Sequence, residues 1–130
     1  MTTQDEYRAK AREALEKLQQ QIDDLRVQAN QGGAEARDRF EKAIDTLRKR
    51  EADTRAKLDQ AADATGDAWK NAAKQLEEAV DNVGDAFSAL ADEVDANLKS
   101  AGAAAKAGRQ AFLDEWKKQR EAREKLIDSA

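Results

Sequence analysis

The groups in this chain that could do chemistry are carboxylates, amines and guanidinia, because its 130 residues include no His and no Cys. That excludes a His–Cys zinc site, a thiol nucleophile, a disulfide and a Ser-His-Asp relay. A near-neutral general base would have to be a strongly shifted carboxylate or Lys. Glu77, Glu78, Asp81 and Asp85 stand at helical spacings where carboxylates could meet a hard cation. With no His and no second carboxylate pair clearly facing them, a solvated helix face is the simpler reading. Asp23-Asp24 and Asp92-Glu93 read the same way. Arg48-Lys49-Arg50 could touch a phosphate, but Asp45, Glu51 and Asp53 flank it, which suits a solvated face. No catalytic residue, cofactor or metal ligand is therefore expected, and the chain reads as a non-enzyme.

The stronger signal is apolar. Trp69, Leu76, Val80, Val83, Phe87, Leu90, Val94 and Leu98 fall on one side of a helix, and Phe112 and Trp116 extend the pattern nearer the C-terminus. Such a face docks on lipid, on a hydrophobic granule or on a partner helix, or it forms the chain's own packing seam. The acidic surroundings of residues 67–98, with only Lys70 and Lys74 as bases, argue against an anionic membrane there. Phe112, Leu113 and Trp116 lie among Lys117, Lys118, Arg120, Arg123 and Lys125, a better match to a membrane-surface helix. Glu115, Glu121 and Glu124 offset much of that positive charge.

These residues must sit on helices. Ala, Glu, Lys, Leu and Arg dominate, with 28 Ala, and Pro is absent, so nothing forces a helix to stop. Leu, Ile, Val and Phe contribute only 20 residues, a composition that also borders on disorder. The charges nevertheless nearly balance, with 23 basic and 27 acidic groups, and the apolar residues are periodic. No segment alternates with period two, so strands are not expected. Residues 1–65 carry net −1, residues 67–98 net −6 and residues 99–130 net +3. An acidic segment followed by a basic tail suggests pairing within or between chains. Nucleic acid is not expected as a partner, since the tail's aromatics have helical core spacing rather than a stacking pattern.

Thr3-Gln4-Asp5-Glu6 reads as a capping box. Ala11, Leu15, Leu18, Ile22, Leu25 and Ala29 then form a seven-residue seam. Further on, Ala14, Leu25, Ala36, Leu47, Leu58, Trp69 and Val80 recur every 11 residues, as do Leu76, Phe87 and Leu98. So do Ala72, Val83, Val94, Ala105, Trp116 and Ile127. That period keeps an apolar stripe nearly straight. Acid–base pairs four residues apart, such as Glu13–Lys17 and Glu51–Arg55, support the exposed faces at about 0.2–0.5 kcal/mol each.

Three places could interrupt the helix: Gly32-Gly33, Thr65-Gly66-Asp67 and Ser100-Ala101-Gly102. Using all three gives an up-down four-helix bundle. Using only the middle one gives an antiparallel hairpin with arms 3–64 and 67–128, each ~90 Å long. The hairpin is favoured because its turn falls at the midpoint of the chain and no clear new cap follows Gly33 or Gly102. Either way residues 1–130 read as one all-α domain.

The stretches YRAKAREALEKLQQQIDDLRVQA, RFEKAIDTLRKREADTRAKLDQ and ATGDAWKNAAKQLEEAVDNVGDAF resemble small bacterial coiled-coil stress-response proteins, over Tyr7 to about Leu98. The chain departs from that pattern at Gly32-Gly33 and in residues 99–130. This resemblance implies a non-enzymatic cytoplasmic protein linked to stress and carries no catalytic residues. The 11-residue period is also similar to that of late-embryogenesis-abundant proteins, exchangeable apolipoproteins and phasins, whose helices lie on membrane, lipid or polyester-granule surfaces. The polar, acidic start at Thr2-Thr3-Gln4-Asp5-Glu6 is unlike a secretory signal, and no apolar run nears bilayer-spanning length. The expectation is a cytoplasmic, stress-associated coiled-coil interaction protein, a homodimer through a second apolar face shared by two hairpins, with a reversible surface coat as the alternative.

Overall fold

The computed structural model describes residues 2–66, 68–97 and 103–129. They form four helices, α1 (Thr3–Gln31), α2 (Ala34–Asp63), α3 (Ala68–Asn97) and α4 (Ala103–Ser129), and no strand among the described residues. The all-α class holds. Of the two arrangements left open by the sequence, the chain takes the four-helix bundle, not the long hairpin. The two arms fold back on themselves, so that helices of about 45 Å replace arms of twice that length.

The cap of α1 lies one residue earlier than expected. Thr2, in extended conformation, accepts a hydrogen bond from the Asp5 amide at 3.2 Å, and the Asp5 carboxylate accepts one from the Thr2 amide. Asp5 and Glu6 then place negative charge at the positive end of the helix dipole. The helix stops at Gly32, whose amide donates back to the Ala29 carbonyl. Gly33 adopts φ 96°, ψ −179°, and α2 restarts when the Arg37 amide donates to the Gly33 carbonyl at 3.0 Å. Among the described residues no side chain caps α2. The reversal therefore comes from backbone freedom, and no capping signal announces it. α2 ends at Asp63, and Gly66, at φ 62°, turns the chain toward α3. The expected N-cap Asp67 and the third break at 100–102 lie outside the described residues, as does Leu98.

Cross-helix pairs fix the directions. Arg12 meets Asp59, Arg55 reaches Gln19, and Arg48 meets Asp23, so α1 and α2 run antiparallel. Gln4 donates to the Ala64 carbonyl at 2.9 Å and ties the start of α1 to the end of α2. α3 packs on α2 and also contacts α1, running parallel to it. α4 packs antiparallel to α3 and also against α1, while α2 and α4 occupy opposite corners. None of the helices is long and apolar enough to cross a membrane, among the described residues.

The core is one continuous stripe. From α1 it takes Ala11, Leu15, Leu18, Ile22, Leu25 and Ala29, the whole expected seam. α2 contributes Phe40, Ile44, Leu47 and Leu58, while two of its seam positions are polar, Glu51 and Thr54. α3 contributes Trp69, Ala73, Leu76, Val80, Val83, Phe87, Leu90 and Val94. Among its described side chains α4 adds only Trp116 and Ile127 as buried apolar residues, with Phe112, Leu113 and Leu126 partly covered. Each fully buried Leu, Val or Phe contributes about 1.5–3 kcal/mol. These helices therefore depend on one another rather than on intrinsic propensity.

Gly33→Ala separates the two topologies. At φ 96° a Cβ is strained, so the bundle loses about 1–3 kcal/mol. If 3–64 were one continuous helix, the same change would stabilise it by ~1 kcal/mol. Urea unfolding followed by far-UV circular dichroism reads the sign.

Candidate interaction face and its polar clasps

The residues singled out as an interaction face do come together, but on the inside. Trp69, Leu76, Val80, Val83, Phe87, Leu90 and Val94 are all buried along α3. Tyr7 of α1 packs against Trp69 with ring centroids 6.1 Å apart. From α4, Phe112 meets Phe87 edge-on at 5.9 Å and Trp116 at 5.7 Å. Trp116 in turn lies on the backbone of Gly84, where a Cβ would stand 2.7 Å from the indole Nε1. Gly84 is thus the notch that lets α4 approach α3. Val27 is the one large apolar side chain left exposed among the described residues.

Three polar clusters interrupt this stripe. At one end Glu77, which the sequence suggested was solvated, is 6% exposed, and Arg123, grouped there with the surface bases, is 0% exposed. Arg123 Nε donates to both Glu77 oxygens at 3.1 Å, and the Tyr7 hydroxyl donates to Glu77 at 2.6 Å. One carboxylate therefore joins α1, α3 and α4. Nη1 and Nη2 of Arg123 are buried without a hydrogen-bond partner among the described residues. The guanidinium instead faces the Trp116 ring, with Cζ 6.0 Å from its centroid. Near the other end Arg109, also buried, donates to Asp95, to Gln28 of α1 and to the Ala91 carbonyl. In α2, buried Glu51 accepts from Arg55 at 2.6 Å, and Thr54 donates to the Arg50 carbonyl.

These surroundings move proton affinities. Burial, then the charge of Glu77 and the hydrogen bond to it, hold the Tyr7 hydroxyl protonated well above its ordinary value. Burial raises the Glu51 carboxyl against the opposing pull of Arg55. Asp81 is also raised by burial, although Arg120 lies 2.6 Å away and works the other way.

Between α3 and α4 an open cleft of about 810 Å³ runs along the outside of the Trp116–Gly84 contact. Glu78, Asp81, Asp85 and Asp92 line one wall, with Lys117 and Arg120 on the other. These carboxylates do not converge: no group of three His, Cys, Asp or Glu among the described residues could hold a metal ion. The remaining sequence candidates are surface features. Asp23 pairs with Arg48 across the helices, and Glu13–Lys17 and Glu51–Arg55 form as spaced.

Sequence reasoning missed Tyr7, Arg109 and Arg123, although a signal was present. Arg109, Trp116 and Arg123 are spaced by seven, which places both arginines on the same seam as the tryptophan. Comparison with protein-family models, with curated proteins and with solved structures finds no match to this chain.

The buried hydroxyl makes one pH effect specific. Tyr7 is the only tyrosine, so tyrosinate absorbance reports it alone. The folded chain keeps its proton above the ordinary value of 10.0, whereas the unfolded chain releases it. Its contribution to stability is therefore full below pH 10 and lost as pH rises further, by up to ~1.4 kcal/mol per unit. Urea midpoints between pH 9 and 11 should fall more steeply for the native chain than for Tyr7→Phe; parallel profiles would contradict the buried assignment.

Proposed function

We propose that this chain is a non-enzymatic helical interaction protein, associated with cellular stress, whose working surfaces are the amphipathic faces of its helices. One observation carries this reading. The conspicuous apolar residues line a single internal stripe, and the buried groups Tyr7, Glu77, Arg109 and Arg123 pair with residues of neighbouring helices. Such an arrangement stores adhesive surface inside the fold. The resemblance of Tyr7 to about Leu98 to coiled-coil stress proteins supports the same class, and a cytoplasmic location accords with it.

A second copy of the chain is among the partners proposed. The dimer expected from sequence relied on a second apolar face between two hairpins. In the bundle the chain's own helices cover that face, so dimerisation through it requires the bundle to rearrange. A coat on lipid or granule is the second reading. It is favoured by α4, whose exposed Lys117, Lys118 and Lys125 accompany an inward face of Phe112, Leu113 and Trp116.

Lysine cross-linking in cells of the source organism, with and without stress, tests the proposal. Links from exposed Lys74, Lys117 or Lys118 to another polypeptide or to a second copy should appear or increase under stress. Links confined to one chain under every condition would defeat it. Recovery in the lipid or granule fraction without polypeptide links would favour the coat instead.

A further inference from the structure

We infer that α4 is a detachable strap: it leaves the α1–α3 core as one unit, and the Glu77–Arg123 pair sets how readily it leaves. The first observation is the poverty of its apolar anchoring. α4 buries Trp116 and Ile127, whereas α1 buries a full seam from Tyr7 to Ala29 and α3 one from Trp69 to Val94. In place of oil, α4 buries two arginines, each against a carboxylate of α3.

The second observation separates these two arginines. Arg109 has Asp95, Gln28 and the Ala91 carbonyl around it. Arg123 offers the Glu77 carboxylate only its Nε, and its two terminal nitrogens are buried without a partner among the described residues. A guanidinium regains its full hydration in water. Burying one with most of its donors unmet penalises the closed state, and the penalty is relieved when α4 swings out. The third observation is the cleft of about 810 Å³ between α3 and α4, which lets solvent run along the joint. Arg120–Asp81, at the rim of that cleft, is partly exposed and contributes little to holding it shut.

Opening uncovers Gly84 and Phe87 of α3 and carries Arg109 and Arg123 into water. The remaining three helices keep their mutual contacts, since α2 and α4 are not in contact among the described residues. The strap thus gates the interaction face proposed above. It rests on that reading for its purpose, but the opening itself belongs to the isolated chain and needs no partner.

Native-state hydrogen exchange on the purified full chain, read by mass spectrometry, tests this. Amides across α4 should exchange together as one block, about tenfold or more faster than those in the middle of α1 and α3. A helix that merely frays would lose protection gradually from Ser129 inward. In the double variant Glu77→Leu, Arg123→Met the buried pair becomes packed hydrocarbon, while the Tyr7 hydroxyl keeps the Ala73 carbonyl at 3.4 Å. Exchange across α4 should then slow by about tenfold while α2 is unchanged. Equal protection of α4 and α1 in the native chain would overturn the inference, as would faster α4 exchange in the double variant. The native comparison decides alone if that variant does not fold. Should α4 open as a block while stress cross-links fail to appear, the strap stands and the proposed function falls.

Discussion

Covering the apolar stripe of α3 is the constraint on which the rest depends. Its heptad run from Trp69 to Val94 is the most hydrophobic surface in the chain, and a lone helix cannot keep it in water. Burying it requires apolar neighbours on several sides. α1 supplies the best-formed seam, α2 a seam diluted by Glu51 and Thr54, and α4 a seam diluted by Arg109 and Arg123. Folding at Gly33 and at Gly66 lets one chain bring α1 and α2 to α3, and α4 closes the remaining side. A two-arm hairpin would leave part of each arm's stripe facing solvent or a second molecule.

The polar members of the seam divide the bundle unequally. Ion pairs buried this way rarely stabilise more than hydrocarbon of the same size, yet breaking one by removing a single partner is severe. They therefore act less as glue than as a register mark: Glu77 meets Arg123 and Tyr7 in one relative position of three helices, and Asp95 meets Arg109 and Gln28 in another. Between them sits the Gly84–Trp116 notch. These three points define the seating of α4, while hydrocarbon contacts define that of α1 against α3.

Much of this was legible in the sequence. The seam from Ala11 to Ala29 was read from spacing alone and is buried throughout. The α3 residues from Trp69 to Val94 picked out by their spacing share one buried side, while Leu98 lies outside the described residues, and acids of α3 pair with arginines of α4. The topology was less legible, for a physical reason. Gly32-Gly33 carries no side-chain cap on its far side, and the reversal there is stabilised by tertiary packing that local signals do not encode. The roles of Glu77 and Arg123 were hidden because a charged residue next to a seam usually reaches solvent. Only the third dimension shows that Tyr7, 70 residues away from Glu77, meets it. The cap at Thr2 instead of Thr3 is a one-residue ambiguity between two adjacent threonines.

The most direct measurement of the central claim, that one chain closes on itself around this stripe, is the distance between spin labels at Arg12→Cys and Asp59→Cys. The native side chains touch at 3.2 Å across α1 and α2, and both are exposed enough to accept a label. Labelled chain should be diluted into unlabelled chain, so that only intramolecular distances are read. The bundle predicts a single distance below about 25 Å, from an interhelix spacing of about 8–10 Å plus two label arms. A distance near ~70 Å, expected for 47 residues of unbroken helix at 1.5 Å each, would contradict it.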